Sequence, residues 1–153
     1  MVENKWVIFD LDGTLANIET RRKLASKSGK MDWEIFFSDK LIATDEPNQP
    51  VIDTLHAFAE AGYSIAIFSG RSASTKHVTE DWLIKHGCHH DLLKLRPEKH
   101  PFKFMPDEKL KLQWLDEMDW KDDVVAVFDD RDKVVKMWRE IGLTCMQVAP
   151  GNF

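Results

Sequence analysis

Short apolar runs punctuate the chain at residues 6–9, 64–68, 92–95, 124–128 and 145–148. None shows polar alternation, so both faces of each segment are expected to be covered. Between the runs, apolar positions recur at three- and four-residue spacing, the period of a helix with one buried side. Asn48 is placed to cap a helix with Pro50 in its first turn, Val51, Leu55, Phe58 and Ala59 inward, and a stop at Gly62. Ser72 or Ser74 opens a second, with Val78, Trp82 and Leu83 inward and Gly87 as terminator. A third begins at Pro106 and aligns Leu110, Trp114, Leu115 and Met118. A fourth runs from about Asp132 through Val134, Val135, Trp138 and Ile141 to Gly142. Covered strands alternating with amphipathic helices predict an α/β fold: a doubly wound, Rossmann-like parallel sheet of about five strands with helices on both faces.

A length of 153 residues with no linker tract, repeat or low-complexity segment predicts a single domain, 1–153. The N-terminus lacks the basic and long apolar regions of a signal peptide, and no run approaches the roughly 20 residues of a membrane helix. Two cysteines without framework spacing, Cys88 and Cys145, fit a reducing compartment, so a cytoplasmic protein without a membrane partner is expected. Net charge is −5, which argues against coating long nucleic acid, but the charge is uneven. Residues 20–31 hold five basic side chains and no acid, whereas 32–60 hold seven acids and one lysine. A solvated helical face accounts for such a stretch equally well until its place in the fold is known.

In a doubly wound sheet, ligands bind beyond the carboxyl ends of the strands. Three of those ends carry unusual chemistry. The first run is followed by Asp10-Leu11-Asp12-Gly13-Thr14, whose two carboxylates at i and i+2 point the same way on an extended segment, with Gly13 free to turn sharply. Ordinary turns also use this pattern; a calcium loop would need Gly and a carboxylate where Leu15 and Arg21 stand. The second run ends in Ser69-Gly70-Arg71, a hydroxyl and a glycine amide able to hold an oxyanion, though Ser-Gly is also a common turn. The last end reads Asp129-Asp130-Arg131-Asp132, where Asp132 suits a helix cap and two adjacent carboxylates call for a cation such as Mg²⁺. Pro106-Asp107-Glu108-Lys109-Leu110-Lys111 places a lysine near a helix start, against the dipole's preference, which a nearby anion would rationalise.

In order, these segments resemble the four motifs of the haloacid dehalogenase superfamily: Asp10 to Thr14, Ser69, a lysine, and Asp129-Asp130. The likeness covers nearly the whole chain. Within the superfamily it is most similar to the phosphatase domain of bacteriophage polynucleotide kinase/phosphatase. That closer likeness rests on Ser69-Gly70-Arg71, on Arg21 eleven residues after Asp10, and on an aspartate four residues before the lysine, which selects Asp107 and Lys111 with Lys109 as fallback. Residues 129–149 look like that domain's closing stretch. The kinase half is missing, and Gly29-Lys30 lacks the glycine and hydroxyl of a phosphate loop, since Leu24 and Met31 occupy those positions, so no kinase activity is expected.

The resemblance implies a Mg²⁺-dependent phosphomonoesterase acting through an aspartyl-phosphate on Asp10. Its metal would lie among Asp10, Asp12 (through the backbone carbonyl), Asp129 and Asp130. Ser69 and Lys111 would hold phosphoryl oxygens, with Asp12 as acid and then base. Thr14, Arg21, Gly70, Arg71 and Asp107 would contact substrate. Cations are needed because a unit pair of like charges at about 4 Å costs about 4 kcal/mol at an effective dielectric of about 20. Changing Asp12 to Asn should keep fold and metal binding and lose most turnover.

Roughly 50 residues separate the first two motifs, enough for a small helical flap over about 17–46 with Trp33, Phe36 and Phe37, and too few for a lid domain. A lightly covered site suits a polymer end, such as a nucleic-acid 3′-phosphate, or a free nucleotide, with a separate kinase or ligase as a possible partner. Basic residues 21–30, together with Lys94, Arg96, Lys99 and Lys103 around Phe102 and Phe104, are candidates to grip a backbone and stack a base. His86, Cys88, His89 and His90 are too tightly spaced for a good tetrahedral zinc site. Rival readings are a phosphatase of small metabolites, a binding protein on an inactive scaffold, and a receiver-type interaction domain. A receiver, however, keeps its acidic pair on the first strand and its accepting aspartate on a middle one, where this chain has Ser69.

Overall fold

The computed structural model describes residues 4–153. In chain order its elements are β1 (Trp6–Phe9), β2 (Ala16–Asn17), α1 (Glu19–Ala25), β3 (Ser26–Lys27), β4 (Lys30–Met31), α2 (Trp33–Phe36), α3 (Asp39–Ala43), β5 (Glu46–Pro47), α4 (Gln49–Glu60) and β6 (Ser64–Ser72). They continue with α5 (Lys76–Lys85), β7 (Leu92–Arg96), α6 (Asp107–Asp116), β8 (Val124–Asp129), α7 (Asp132–Glu140) and β9 (Cys145–Gln147). The five apolar runs all form strands of one sheet, ordered β7-β6-β1-β8-β9 with every neighbouring pair parallel. No helix among the described residues is long and apolar enough to cross a membrane.

Strand pleating divides the core. From β1, Val7 and Phe9 face a cluster with Val51, Ile52 and Leu55 of α4 and Trp82 and Leu83 of α5. Ile8 faces the opposite cluster, with Leu110, Trp114 and Leu115 of α6 and Val134, Val135 and Trp138 of α7. Each fully buried large apolar side chain contributes about 1.5–3 kcal/mol, so burial on both faces fixes the strand register firmly. The chain first winds from β1 to β6 and β7, then returns past β1 to β8 and β9. In doubly wound sheets such a reversal marks where ligands bind, here the carboxyl ends of β1 and its neighbours.

Three local expectations are corrected, and of two alternative caps one is selected. Asn48 stands at the N-cap of α4 but its side chain does not cap; Nδ2 instead donates to the Thr14 carbonyl at 2.9 Å. Ser72, not Ser74, caps the 3₁₀ turn Ala73–Thr75 that leads into α5. On α5 the inward polar position is Thr79, with Val78 only half-buried, because Thr79 Oγ1 accepts from the buried Arg71 guanidinium. Ile141 lies beyond the last residue of α7 and is 43% exposed.

The excursion between β1 and α4 forms the flap, and it is not purely helical. β2 and β5 pair antiparallel at its base, and β3 with β4 makes a short hairpin between α1 and α2. Ile18, Ala25 and Phe36 form its small core, with Met31, Ile35 and Phe37 against them. Trp33 is 60% exposed and packs edge-on to Phe36.

Candidate active site

The backbone brings Asp10 and Asp129 to one spot. The Asp10 amide donates to the Phe128 carbonyl at 2.9 Å, so the residues after β1 and at the end of β8 emerge side by side. Gly13, at φ +81, then turns the chain tightly, and a Cβ there would collide with the Asp130 carboxylate. Only glycine meets both demands. Lys111, the fifth residue of α6, is buried and donates to Asp10 Oδ1 at 2.8 Å and Asp129 Oδ2 at 3.0 Å. Lys109 is exposed, so Lys111 is the one of the two lysines that the fold brings to these carboxylates. Thr14 Oγ1 donates to Asp10 Oδ2 at 3.1 Å, and Trp138 Nε1 donates to Asp129 Oδ2 at 3.3 Å.

Oxygens of Asp10, Asp129 and Asp130 lie within 4.8 Å of one another, and all three residues are buried. Burial, reinforced by neighbouring Asp129, raises the Asp10 carboxyl well above its usual value. Burial likewise pushes Asp130 up to about 6, the hydrogen bond with Asp10 opposing and the Asp129 charge adding. Burial disfavours the Lys111 charge, but Asp10 and Asp129 outweigh it and hold Lys111 above an ordinary lysine. Three carboxylates against one ammonium leave excess negative charge in a dry site. An all-oxygen donor set with that excess suits a hard divalent cation such as Mg²⁺. Among the described residues this is the one grouping of three or more metal-capable side chains. The His86, Cys88, His89 and His90 segment forms none; Cys88 is buried against the His86 carbonyl and His90 turns to the Cys88 carbonyl.

Two residues along, Asp12 has different company. Arg71 donates to it from Nε at 3.0 Å and from NH2 at 2.5 Å, and Arg21 NH2 donates at 2.6 Å. Burial alone would raise the Asp12 carboxyl, but Arg71 and then Arg21 outweigh it and hold it near 2. Both guanidiniums are buried and turned to protein partners in this structure. Arg21 also grips Asp45 through Nε and NH2, at 2.9 and 2.8 Å to its two oxygens, and donates to the Phe36 carbonyl at 2.9 Å. Asp45 escaped the sequence reading because it sits in an acidic stretch with no motif around it.

Ser69 is buried within β6, and its Oγ accepts from the Arg71 amide at 3.2 Å. Gly70 leaves room for Asp107, whose carboxylate packs where a Cβ would stand. Asp107 joins Arg96 to Arg131, pairing with Arg96 NH2 and, at 3.0 Å, with Arg131 NH1. Arg96 further donates to the carbonyls of Gly70, Phe102 and Met105. That guanidinium therefore braces the loops around the site and is not offered to a polymer. Lys94 lies over the Trp114 ring at 5.9 Å and Phe102 packs into the core, whereas Phe104 is 80% exposed beside Lys103. Lys23, Lys27 and Lys30 of the flap are exposed.

A family model described as the polynucleotide kinase PNKP phosphatase domain matches residues 4–153. A protein of Autographa californica nuclear polyhedrosis virus, named as a bifunctional polynucleotide kinase/RNA ligase, is 33% identical over 138 residues, covering 88% of this chain and 18% of the relative. A chain in the structure of the Pnkp1/Rnl/Hen1 RNA repair complex superposes with TM-score 0.80 at 32% identity, covering 97% of this chain and 43% of that one. The chain thus spans less than half the length of either relative. A class C acid phosphatase from Bacillus anthracis, with tungstate bound, shares the fold with TM-score 0.65 at 20% identity, covering 99% of this chain and 68% of that one. With Asp10, Ser69, Lys111 and Asp129 at the carboxyl ends of a parallel sheet and the match running from residue 4 to 153, the chain belongs to the polynucleotide kinase phosphatase-domain family of the haloacid dehalogenase superfamily.

Proposed function

We propose that this protein is a Mg²⁺-dependent phosphomonoesterase that removes 3′-phosphates from nucleic-acid ends. The observation that carries the reading is the buried cluster of Asp10, Asp129 and Asp130 with Lys111 at the ends of adjacent strands, in a chain of this family. Asp10, Asp129 and Asp130 would hold Mg²⁺, which when bound neutralises charge on the phosphoryl oxygens. Lys111 holds Asp10 and would meet a further phosphoryl oxygen, as would the Ser69 hydroxyl. Asp10 attacks phosphorus, and the bond to the leaving ester oxygen breaks as Asp12 gives that oxygen a proton. Water then displaces Asp10 from phosphorus, Asp12 takes its proton, and inorganic phosphate departs. In this structure Asp12 is held as the carboxylate, the form that the second step uses. A proton taken from solvent onto Asp12 Oδ2 would supply the first step, with Arg21 and Arg71 keeping their hold on Oδ1.

A polymer end as substrate is supported by the family and by the exposed Lys23, Lys27, Lys30, Lys99 and Lys103 with Phe104 and Trp33. The relatives named for RNA repair and RNA ligation direct the assay to RNA as well as DNA ends, and to a kinase or ligase as partner. Two free buried thiols, Cys88 and Cys145, each pushed up to about 12 by burial, support a reducing compartment such as the cytoplasm. The test is phosphate release, with and without Mg²⁺, from 3′-phosphorylated RNA and DNA oligonucleotides, the matching 5′-phosphorylated strands, and 3′-mononucleotides. Mg²⁺-dependent release that favours 3′-phosphorylated strands supports the proposal; a preference for mononucleotides would redirect it to small metabolites.

A further inference from the structure

Asp45 is 6% exposed, lies just after α3, and carries its charge into the centre of the molecule. Its carboxylate accepts a forked pair of hydrogen bonds from Arg21 and stands 3.5 Å from Arg71 NH2. Both guanidiniums end on Asp12, so four charged side chains close a ring: Asp12, Arg21, Asp45 and Arg71. Asp45 is itself fixed through its backbone, its carbonyl accepting from Trp82 Nε1 at 3.0 Å and its amide donating to the Ile42 carbonyl at 3.2 Å. A planar guanidinium held bidentately from one side has its remaining N–H bonds aimed by that grip.

We infer that Asp45 is a positioning residue for catalysis: it orients Arg21 and Arg71 so that together they set the Asp12 carboxylate toward the leaving ester oxygen. The inference rests on the phosphatase reading above. It gives the flap a catalytic task, because Arg21 and Asp45 are flap residues whereas Arg71 and Asp12 stand at the carboxyl ends of β6 and β1. Without Asp45 the guanidiniums keep Asp12 as partner but lose their fixed direction. Asp10 and the metal-binding carboxylates make no hydrogen bond to Asp45 and would be left in place.

The leaving group separates this role from a merely structural one. A nucleotide 3′-oxygen leaves as a strongly basic alkoxide and needs the proton that Asp12 delivers, whereas p-nitrophenolate leaves without it. In Asp45→Asn, kcat on a 3′-phosphorylated oligonucleotide should fall on the order of 10²-fold, as for a catalytic group misplaced by about 1 Å, with KM nearly unchanged. In the single-turnover burst, which reads attack by Asp10 before Asp12 acts as base, the loss on p-nitrophenyl phosphate should stay below about 5-fold, because general-acid help contributes little there. Asp45→Glu keeps the charge and shifts it by one methylene; it should show the same selective loss in smaller size, and it carries the test alone if the Asn variant does not fold. Equal burst-rate losses on both esters, or none on either, would overturn the assignment of Asp45 while leaving the phosphatase reading intact. A wild-type protein inactive on every ester would overturn both.

Discussion

Two buried charge clusters flank Leu11, and they are composed differently. Around Asp10, three carboxylates share one ammonium. Around Asp12, two carboxylates meet two guanidiniums and the account is balanced within the protein. The first cluster shifts Asp10 and Asp130 upward, Asp130 to about 6; the second holds Asp12 near 2. Aspartates two positions apart in sequence thus differ in proton affinity because of what the flap and α6 bring to each. Excess charge marks the place that needs an external cation; internal compensation marks the place where a carboxylate is aimed and held.

The contrast is broken most severely by removing its two aspartates in turn. Asp10→Asn should lower turnover by about 10⁴-fold or more, as loss of a nucleophile does, while relieving repulsion and leaving the metal-free protein no less stable. Asp12→Asn should lower turnover by about 10²–10⁴-fold and also destabilise the fold by about 3 kcal/mol, because two buried guanidiniums lose their common partner. Phosphate release and urea unfolding of the two variants check both halves; matching stability changes would erase the distinction. Lys111→Met should cost about 3–5 kcal/mol in EDTA, since it removes the one ammonium among three carboxylates, and added Mg²⁺ should recover part of that loss.

Titration sharpens the same comparison. Asp10 and Asp130 have folded values above the unfolded carboxyl value of about 4, so the folded state binds their protons more tightly. Stability of the EDTA-treated protein should therefore fall as pH rises from about 4 through about 6, and Mg²⁺ should raise Tm more at pH of about 7.5 than at about 5. The Asp12 contribution has the opposite sign and another window: it is fully present above about pH 4 and is lost as pH falls toward 2. Differential scanning fluorimetry across pH, with and without Mg²⁺, separates the two. The smallest effect on the Mg²⁺ response is expected for Trp138→Phe: the lost donor to Asp129 costs about 1 kcal/mol, the cavity left by the buried indole adds to the stability loss, and the response should weaken only slightly.

Strands were legible because β1, β6 and most of β8 are covered on both faces and so lack polar alternation; β1, β8 and β9 fall where the apolar runs do, although Met146 on the edge strand β9 is exposed. Residues at the strand ends were legible for a related reason: Asp10, Ser69 and Asp129 each follow an apolar run at a fixed offset. What escaped was long-range pairing. Arg21 and Arg71 were expected to face substrate, and in this structure they turn to Asp12 and Asp45, which a local pattern cannot disclose. Thr14 and Asp107 likewise have internal partners, Asp10 for one and Arg96 with Arg131 for the other. Arg96 looked like part of a basic patch and proves to be a brace, because its loop carbonyls are visible only once the loops are folded. Ile141 and Val78 show the limit of periodicity, which does not register where a helix ends or when a buried guanidinium claims an inward slot for Thr79.

The flap is riveted to the sheet through the same side chains that hold Asp12. A roof fastened in this way is a fixed part of the catalytic chassis, and sequence drift within it divides into two zones. Under the proposed function, substitutions at Leu24 or Trp33, both well exposed, would retune which strands are admitted without disturbing chemistry. Substitutions at Arg21 touch Asp12 directly and those at Phe36 or Asp45 reach it through Arg21, so under the proposed mechanism a change of substrate preference acquired through them would arrive with slower turnover.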